Sequence, residues 1–307
     1  MNRKVSLLCI SFIAIFVGNI FASEVVDDFP KGSINWSKGI VTAKGSGVPP
    51  SAAANPSQAR LMAERAAISD ARRNLLETVG EVRVDAVSTV GSLMTKRDVI
   101  VTRVGGIIKG SLVTERRYLD DGSVEVVVEM PITGAFLDVM LSEVKAVPSI
   151  TMTLPPSKFK KKGLPKAEIK TPAASEPVKE AKIEPEPEKI DLSKVNYSGL
   201  IIDAREVEVK PALMPKVLNE RGEVIYSSAN MQKEEAVKTG VVGYAKEVDA
   251  AKKHPRVTET PVVVAALKGS GEKRSDVIIS DGNARTITTT EPALGYLKKG
   301  RVMIVYK

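Results

Sequence analysis

The sequence predicts an α+β chain built as two modules. An N-terminal helix-on-antiparallel-sheet module spans residues 30–146, a C-terminal mixed α/β module spans 196–307, and a disordered linker over 147–195 joins them. Three observations lead there. Small apolar residues recur at helical spacing from Ser57 to Val79 and give way to alternating valines at Val124, Val126 and Val128. Short unbroken apolar runs recur after residue 196, as in a sheet buried on both faces. Between the two, composition turns abruptly to proline, lysine, glutamate and alanine, which cannot bury enough apolar surface to fold.

Residues 1–22 set the chemical environment of the rest. Arg3 and Lys4 precede an apolar run from Val5 to Val17, and Ile20-Phe21-Ala22 closes it near small residues. This predicts a secretory signal peptide cleaved after Ala22 or Ser23. The run is shorter than the ~20 residues of a spanning helix, which disfavours a retained anchor. The mature chain is therefore expected in the periplasm. The one cysteine, Cys9, lies inside the run, so the mature chain has no disulfide, thiol nucleophile or thiolate metal site. Leu7-Leu8 and the few residues before them make a poor lipobox, and lipidation at Cys9 is not expected.

A formal charge of +8 over 307 residues permits attraction to anionic envelope polymers such as lipopolysaccharide, peptidoglycan or phospholipid headgroups. Nucleic acid is not expected as a partner: aromatic content is 4%, and no aromatic interleaving of the basic residues suggests a stacking platform.

The first module opens with an edge strand from Ile34 to Ala43 carrying Trp36, then a loop from Gly45 to Pro50. Gly45-Ser46-Gly47 lacks the third glycine of a dinucleotide fingerprint and the ending of a phosphate loop, so it reads as a turn. Asn55-Pro56 then starts a helix, with asparagine as N-cap and proline in the first turn. Its apolar stripe is read as Ala59, Met62, Ala63, Ala66, Ala67, Ala71, Leu75 and Val79, and i,i+4 pairs are expected between Arg60 and Glu64 and between Arg73 and Glu77. Val82, Val84 and Ala86 alternate with charged residues as a strand would. Asp98 to Lys109 is ambiguous by itself: Val99 to Thr102 favours strand, whereas Asp98 as a cap with Val101, Val104 and Ile108 on one face favours helix. Leu112–Leu119 and Ser123–Met130 flank Asp120-Asp121-Gly122 as a hairpin, and Phe136 to Val144 forms a short amphipathic helix.

The linker carries Lys158, Lys160, Lys161 and Lys162, then Glu184-Pro185-Glu186-Pro187-Glu188. At about 3.1 Å per residue, ~40 such residues reach on the order of 120 Å if fully extended, a tether between modules or between envelope layers. In the second module, strands are expected at Gly199 to Asp203, Val262 to Ala266, Val277 to Ser280 and Val302 to Tyr306. An exposed hairpin is expected at Lys216 to Tyr226, and helices near Lys233 to Val237, Tyr244 to Lys253 and Thr290 to Lys298.

No catalytic, cofactor-binding or metal-ligating set is expected. The only histidine, His254, sits in Lys252-Lys253-His254-Pro255 and reads as a turn residue. Asp203 follows a buried strand and is equally a strand-end cap, with no second carboxylate placed beside it by pattern. No zinc motif or nucleophile elbow is present.

The residues Ala63-Glu64-Arg65-Ala66-Ala67, Asp70 through Glu77, Val82-Arg83-Val84-Asp85, Ile107-Ile108-Lys109-Gly110, and Tyr118 through Val126 follow one another in an order that resembles the Lpp-twenty family of bacterial outer-membrane lipoproteins, also seen in flagellar basal-disk proteins and the N-terminal region of flagellar assembly protein T. The resemblance covers about residues 34–145. It implies helices packed on an antiparallel sheet, tips Asp98 to Lys109 towards helix, and implies a role in envelope structure or flagellar assembly without catalysis. On that basis the partners are envelope or flagellar basal-body proteins, with self-association through the N-terminal module. The alternative is a periplasmic ligand-binding or hydrolytic C-terminal module, with a concave site near Asp203 and Asp281 and the first module as a targeting adaptor.

Overall fold

The computed structural model describes residues 23–53, 55–145, 197–289 and 291–307. The expected signal segment 1–22 and linker 147–195 lie outside the described residues. The fold is α+β, with an N-terminal module and a C-terminal module built on a mixed sheet. Among the described residues, no helix is long and apolar enough to cross a membrane.

The first module is a five-stranded antiparallel sheet. Its strands are β1 (Val26–Phe29), β2 (Gly32–Asn35), β3 (Ile40–Gly47), β4 (Leu112–Tyr118) and β5 (Val124–Pro131), in the order β1-β2-β3-β5-β4. The single edge strand expected from Ile34 to Ala43 is instead two strands. The chain reverses through Trp36 to Gly39, where Gly39 takes a left-handed φ of 67° that its missing β-carbon makes cheap. The hairpin of β4 and β5 forms as expected, its turn closed at Gly122 with φ 81°.

Helix α1 (Pro56–Gly80) starts where the capping chemistry places it: the Asn55 side chain accepts the Gln58 amide at 2.8 Å. Ala63, Ala67, Ala71, Leu75 and Val79 are buried, a strict one-residue-per-turn stripe, whereas Met62 and Ala66 face solvent. That narrow stripe matches β3, whose buried positions shrink along the strand as Val41, Ala43, Gly45 and Gly47. A β-carbon on Gly45 would lie 2.1 Å from the Ala71 nitrogen, and one on Gly47 would lie 2.1 Å from the Ala63 oxygen. Gly45-Ser46-Gly47 is therefore not a turn. It is strand, with the helix resting directly on its backbone.

The expected pairs on α1 are replaced by others: the two glutamates turn to cations outside the helix, and Arg73 to Asp70 one turn back. Glu64 accepts from Arg116 on β4 at 2.9 Å and from the Tyr118 hydroxyl at 3.2 Å, while Arg60 stacks over the Tyr118 ring at 3.9 Å. Glu77 pairs with Lys31 at 2.8 Å and Arg73 with Asp70 at 2.5 Å. Pairs along one helix are worth only a few tenths of a kcal/mol, too little to hold a carboxylate against a better-placed cation.

After α1 the chain forms no strand at Val82 to Ala86; only an isolated bridge, Arg83 to Thr89, remains. Val82 and Val84 are nonetheless buried. Helices α2 (Val90–Lys96), α3 (Asp98–Lys109) and α4 (Ala135–Lys145) follow. Helix α3 is the helical alternative, although its N-cap is Arg97, and its buried face is Ile100, Val104 and Ile108, leaving Val101 exposed.

The C-terminal module is a seven-stranded mixed sheet. Its strands are β6 (Gly199–Asp203), β7 (Val217–Leu218), β8 (Val224–Tyr226), β9 (Gly243–Ala245), β10 (Pro261–Ser270), β11 (Asp276–Ile279) and β12 (Val302–Val305), in the order β8-β7-β11-β10-β6-β12-β9. Central β6 runs parallel to β10 and β12, and both its faces are buried: Leu200 and Ile202 enter one apolar cluster, Ile201 another with Met303 and Val305. The hairpin of β7 and β8 forms, but Val217 and Tyr226 are fully buried, so it is an integral part of the sheet. Helices are α5 (Lys233–Thr239), α6 (Val248–Lys252), α7 (Asp281–Thr289) and α8 (Glu291–Lys298). The helix expected from Tyr244 to Lys253 is strand β9 followed by α6, and α7 has no counterpart among the expected helices.

Candidate functional site: the seam between the modules and the basic cleft at its rim

The two modules pack directly against each other. One continuous buried cluster runs from Val25 and Trp36 through Leu75, Met130 and Leu137 to Leu213, Tyr244 and Ile304. The modules are thus in direct contact, sharing one core.

The segment after α1 explains its own strand-like alternation here. Its carbonyls are used across the seam: Arg83 accepts from Leu213 N–H at 2.9 Å, Val84 from Met214 N–H at 2.8 Å, and Ala86, in the bend that follows, from Lys273 N–H at 2.8 Å. The Arg83 guanidinium donates to the Pro211 oxygen at 2.6 Å and pairs with Asp27, which also accepts from the Trp36 indole at 2.8 Å. Gly271, at φ 84°, lets Ala86 approach; a β-carbon there would lie 2.3 Å from that of Ala86. On the other flank, the Val237 oxygen accepts from Gly134 N–H at 2.7 Å, and Lys233 pairs with Asp138 at 2.6 Å.

Tyr244 is the pivot. Its hydroxyl accepts from Ala212 N–H at 2.9 Å and donates to the Ala212 oxygen at 2.8 Å, and burial pushes the phenol far above its ordinary range. The carbonyl of the same residue accepts from Ser37 at 3.1 Å. Its ring meets Trp36 on one side and Tyr306 on the other, both edge to face. A cavity of about 170 Å³ lies beside it, lined in part by Trp36, Leu137, Leu213 and Arg256.

Arg256 joins this seam to a larger cleft of about 730 Å³. It is a mostly buried cation whose hydrogen bonds go to backbone carbonyls: Gly240 at 3.1 Å, Gly300 at 2.7 Å, and Thr239. It therefore caps the C-terminal end of α5 and the turn after α8, where carbonyls lack helical partners. Burial lowers its affinity for its proton. Gly243 makes room for it, since a β-carbon there would lie 3.1 Å from the Arg256 Nε.

His254 sits in a turn, as expected, but is half-buried: its Nδ1 accepts from Arg256 N–H at 3.1 Å, and burial followed by the Arg256 charge lowers its pKa. Asp203 is gripped by Arg205 through two bonds, 2.9 and 2.8 Å, which hold its carboxyl below the usual range. Asp281 is held by Arg221 at 3.0 Å. Asp203 ends β6, whereas Asp281 opens α7 just after β11; β6 and β11 flank β10 on opposite sides and each carboxylate has its own arginine, so they do not form one site. Among the described residues, no group of three or more His, Cys, Asp or Glu is placed to hold a metal ion.

Sequence reasoning missed Arg256, Lys298, Lys299 and Arg301, which line the cleft with His254. The available signal was two short basic runs, Lys252-Lys253-His254-Pro255-Arg256 and Lys298-Lys299-Gly300-Arg301. Only the sheet order brings them together.

A family model described as the second domain of Treponema pallidum Tp0624 matches residues 199–307. The likeness begins at the first residue of β6 and concerns the C-terminal module, which here also follows another module. No curated protein matches the chain.

Proposed function

We propose that the chain is a non-enzymatic, exported component of the bacterial cell envelope. It serves as a structural or assembly part associated with the outer membrane or the flagellar basal body, with envelope or basal-body proteins as partners and self-association through the N-terminal module. The observation that carries this reading is the seam. Both modules bury their apolar faces in one core and exchange backbone hydrogen bonds, a construction that presents a stiff joint surface. Each carboxylate considered for acid/base work is paired with an arginine, Asp203 through both oxygens and Asp281 through Oδ2. The run of basic and apolar residues at the start of the chain and the Lpp-twenty resemblance of about residues 34–145 supply the envelope address. Edge strands β1 and β4 offer unpaired backbone for assembly contacts.

The test is fractionation of cells carrying a tagged chain, followed by crosslinking in intact cells and deletion of the gene. Recovery with the periplasm or outer membrane, crosslinks to envelope or basal-body proteins, and a defect in motility or envelope integrity are expected. Cytoplasmic recovery, or a monomeric exported protein whose loss changes neither trait, would sink the reading. The ligand-binding alternative draws on one specific observation, the basic cleft beside Arg256.

A further inference from the structure

We infer that the cleft at the rim of the seam is a binding site for phosphate groups. Four cations line it, Arg256, Lys298, Lys299 and Arg301, against one carboxylate, Glu235. Its volume of about 730 Å³ falls in the range of small-ligand pockets, roughly 300–1,000 Å³, and exceeds what a single ion fills.

Helix ends account for only part of this charge. The C-termini of α5 and α8 each carry about half a negative elementary charge, and Arg256 already satisfies carbonyls at both places. Two half-charges and Glu235 offset about two of the four cations, leaving a field of about two positive charges. Among the described residues, Lys298, Lys299 and Arg301 make no ion pair with any carboxylate of the chain.

The donor set selects phosphate over carboxylate. The Arg256 fork is committed to backbone carbonyls, which leaves two lysines, compact charges on flexible stems, and the Arg301 fork, which can hold two phosphate oxygens at once. Three cations around one open space suit a compact, multiply charged tetrahedral anion better than a singly charged planar carboxylate. A free phosphate-type ion and a phospholipid headgroup share this chemistry. The inference stands on the cleft alone and is independent of the envelope reading.

The experiment titrates the full chain with inorganic pyrophosphate by calorimetry and sediments it with phosphatidylglycerol or phosphatidylcholine vesicles, at two salt concentrations. Saturable, salt-sensitive pyrophosphate binding without vesicle binding assigns a free ion, and selective binding to phosphatidylglycerol vesicles assigns a headgroup. In either case the variant Lys298→Gln/Lys299→Gln/Arg301→Gln is expected to bind about tenfold more weakly, three contacts of a few tenths to one kcal/mol each. If that variant does not fold, Lys298→Gln/Lys299→Gln, confined to two exposed side chains, is expected to show a smaller loss in the same direction. A control that removes equal charge elsewhere, Arg65→Gln/Lys96→Gln/Lys109→Gln, is expected to keep wild-type binding. Absence of binding to either probe, equal losses in cleft and control variants, or succinate binding as tightly as pyrophosphate would each overturn the assignment.

Discussion

Trp36 and Tyr244 meet edge to face across the seam, ring centroids 5.9 Å apart and planes at 74°, so each module completes its aromatic packing on the other. The contact is backed on the far side of Tyr244 by Tyr306, at 6.0 Å and 84°. Three side chains from distant parts of the sequence thus form one stack.

The Tyr244 hydroxyl is the first point to test. Tyr244→Phe keeps the ring stack but orphans the buried N–H and C=O of Ala212, at about 1–3 kcal/mol for each unsatisfied group. Thermal denaturation followed by circular dichroism is expected to show a fall of several degrees, at about 2–4 °C per kcal/mol for a chain of this size. A melting temperature unchanged within a degree would show that Ala212 finds other partners.

Two glycines give a contrast within one module. Gly45→Ala drives a methyl into the α1 backbone, 2.1 Å from the Ala71 nitrogen, and is expected to destabilise on the order of 3 kcal/mol. Gly105→Ala, inside α3 with no atom within 4 Å of the added carbon, is expected to stabilise by about 0.5–1 kcal/mol. Chemical denaturation of both variants reads the two signs; like signs would contradict the close helix-to-strand contact.

Asp276 makes stability depend on pH. Burial is the main cause that raises its carboxyl from 3.8 to about 6, with the Asp85 carboxylate across the seam adding to it and the Lys216 amide and charge working against it. A raised carboxyl binds its proton more tightly folded than unfolded. Its stabilisation is complete below 3.8 and is lost as pH rises through about 6. Asp276→Asn keeps an oxygen to accept the Lys216 N–H, which lies 2.8 Å from Oδ1. It is expected to be the more stable form near neutral pH, by on the order of 2 kcal/mol, with the advantage shrinking as pH falls through 6 towards 4. Denaturation midpoints of the two proteins measured across that range check the sign, and a constant difference would refute it.

Some of this was legible in the residues and some was not. The start of α1 could be read from Asn55 and Pro56, and the hairpin of β4 and β5 from Gly122 and the alternating valines, because caps, turns and periodicity act between near neighbours. The strand character of Gly45 to Gly47 was hidden: glycines that admit a helix backbone carry the same letters as glycines that turn a loop. Val82 to Ala86 showed the opposite ambiguity, alternating like a strand while bonding across the seam.

By itself, the sequence determined the class of each module, most of its helices and strands, and the uninterrupted apolar runs that fill the second sheet. These follow from local backbone preference and the periodic burial of side chains. Only the tertiary structure decided that the modules share a core, that Asp203 and Asp281 stand apart with separate arginines, and that two basic runs converge on Arg256. The physical reason is that these relationships depend on strand order and on the packing of one module against the other, which bring together residues far apart along the chain.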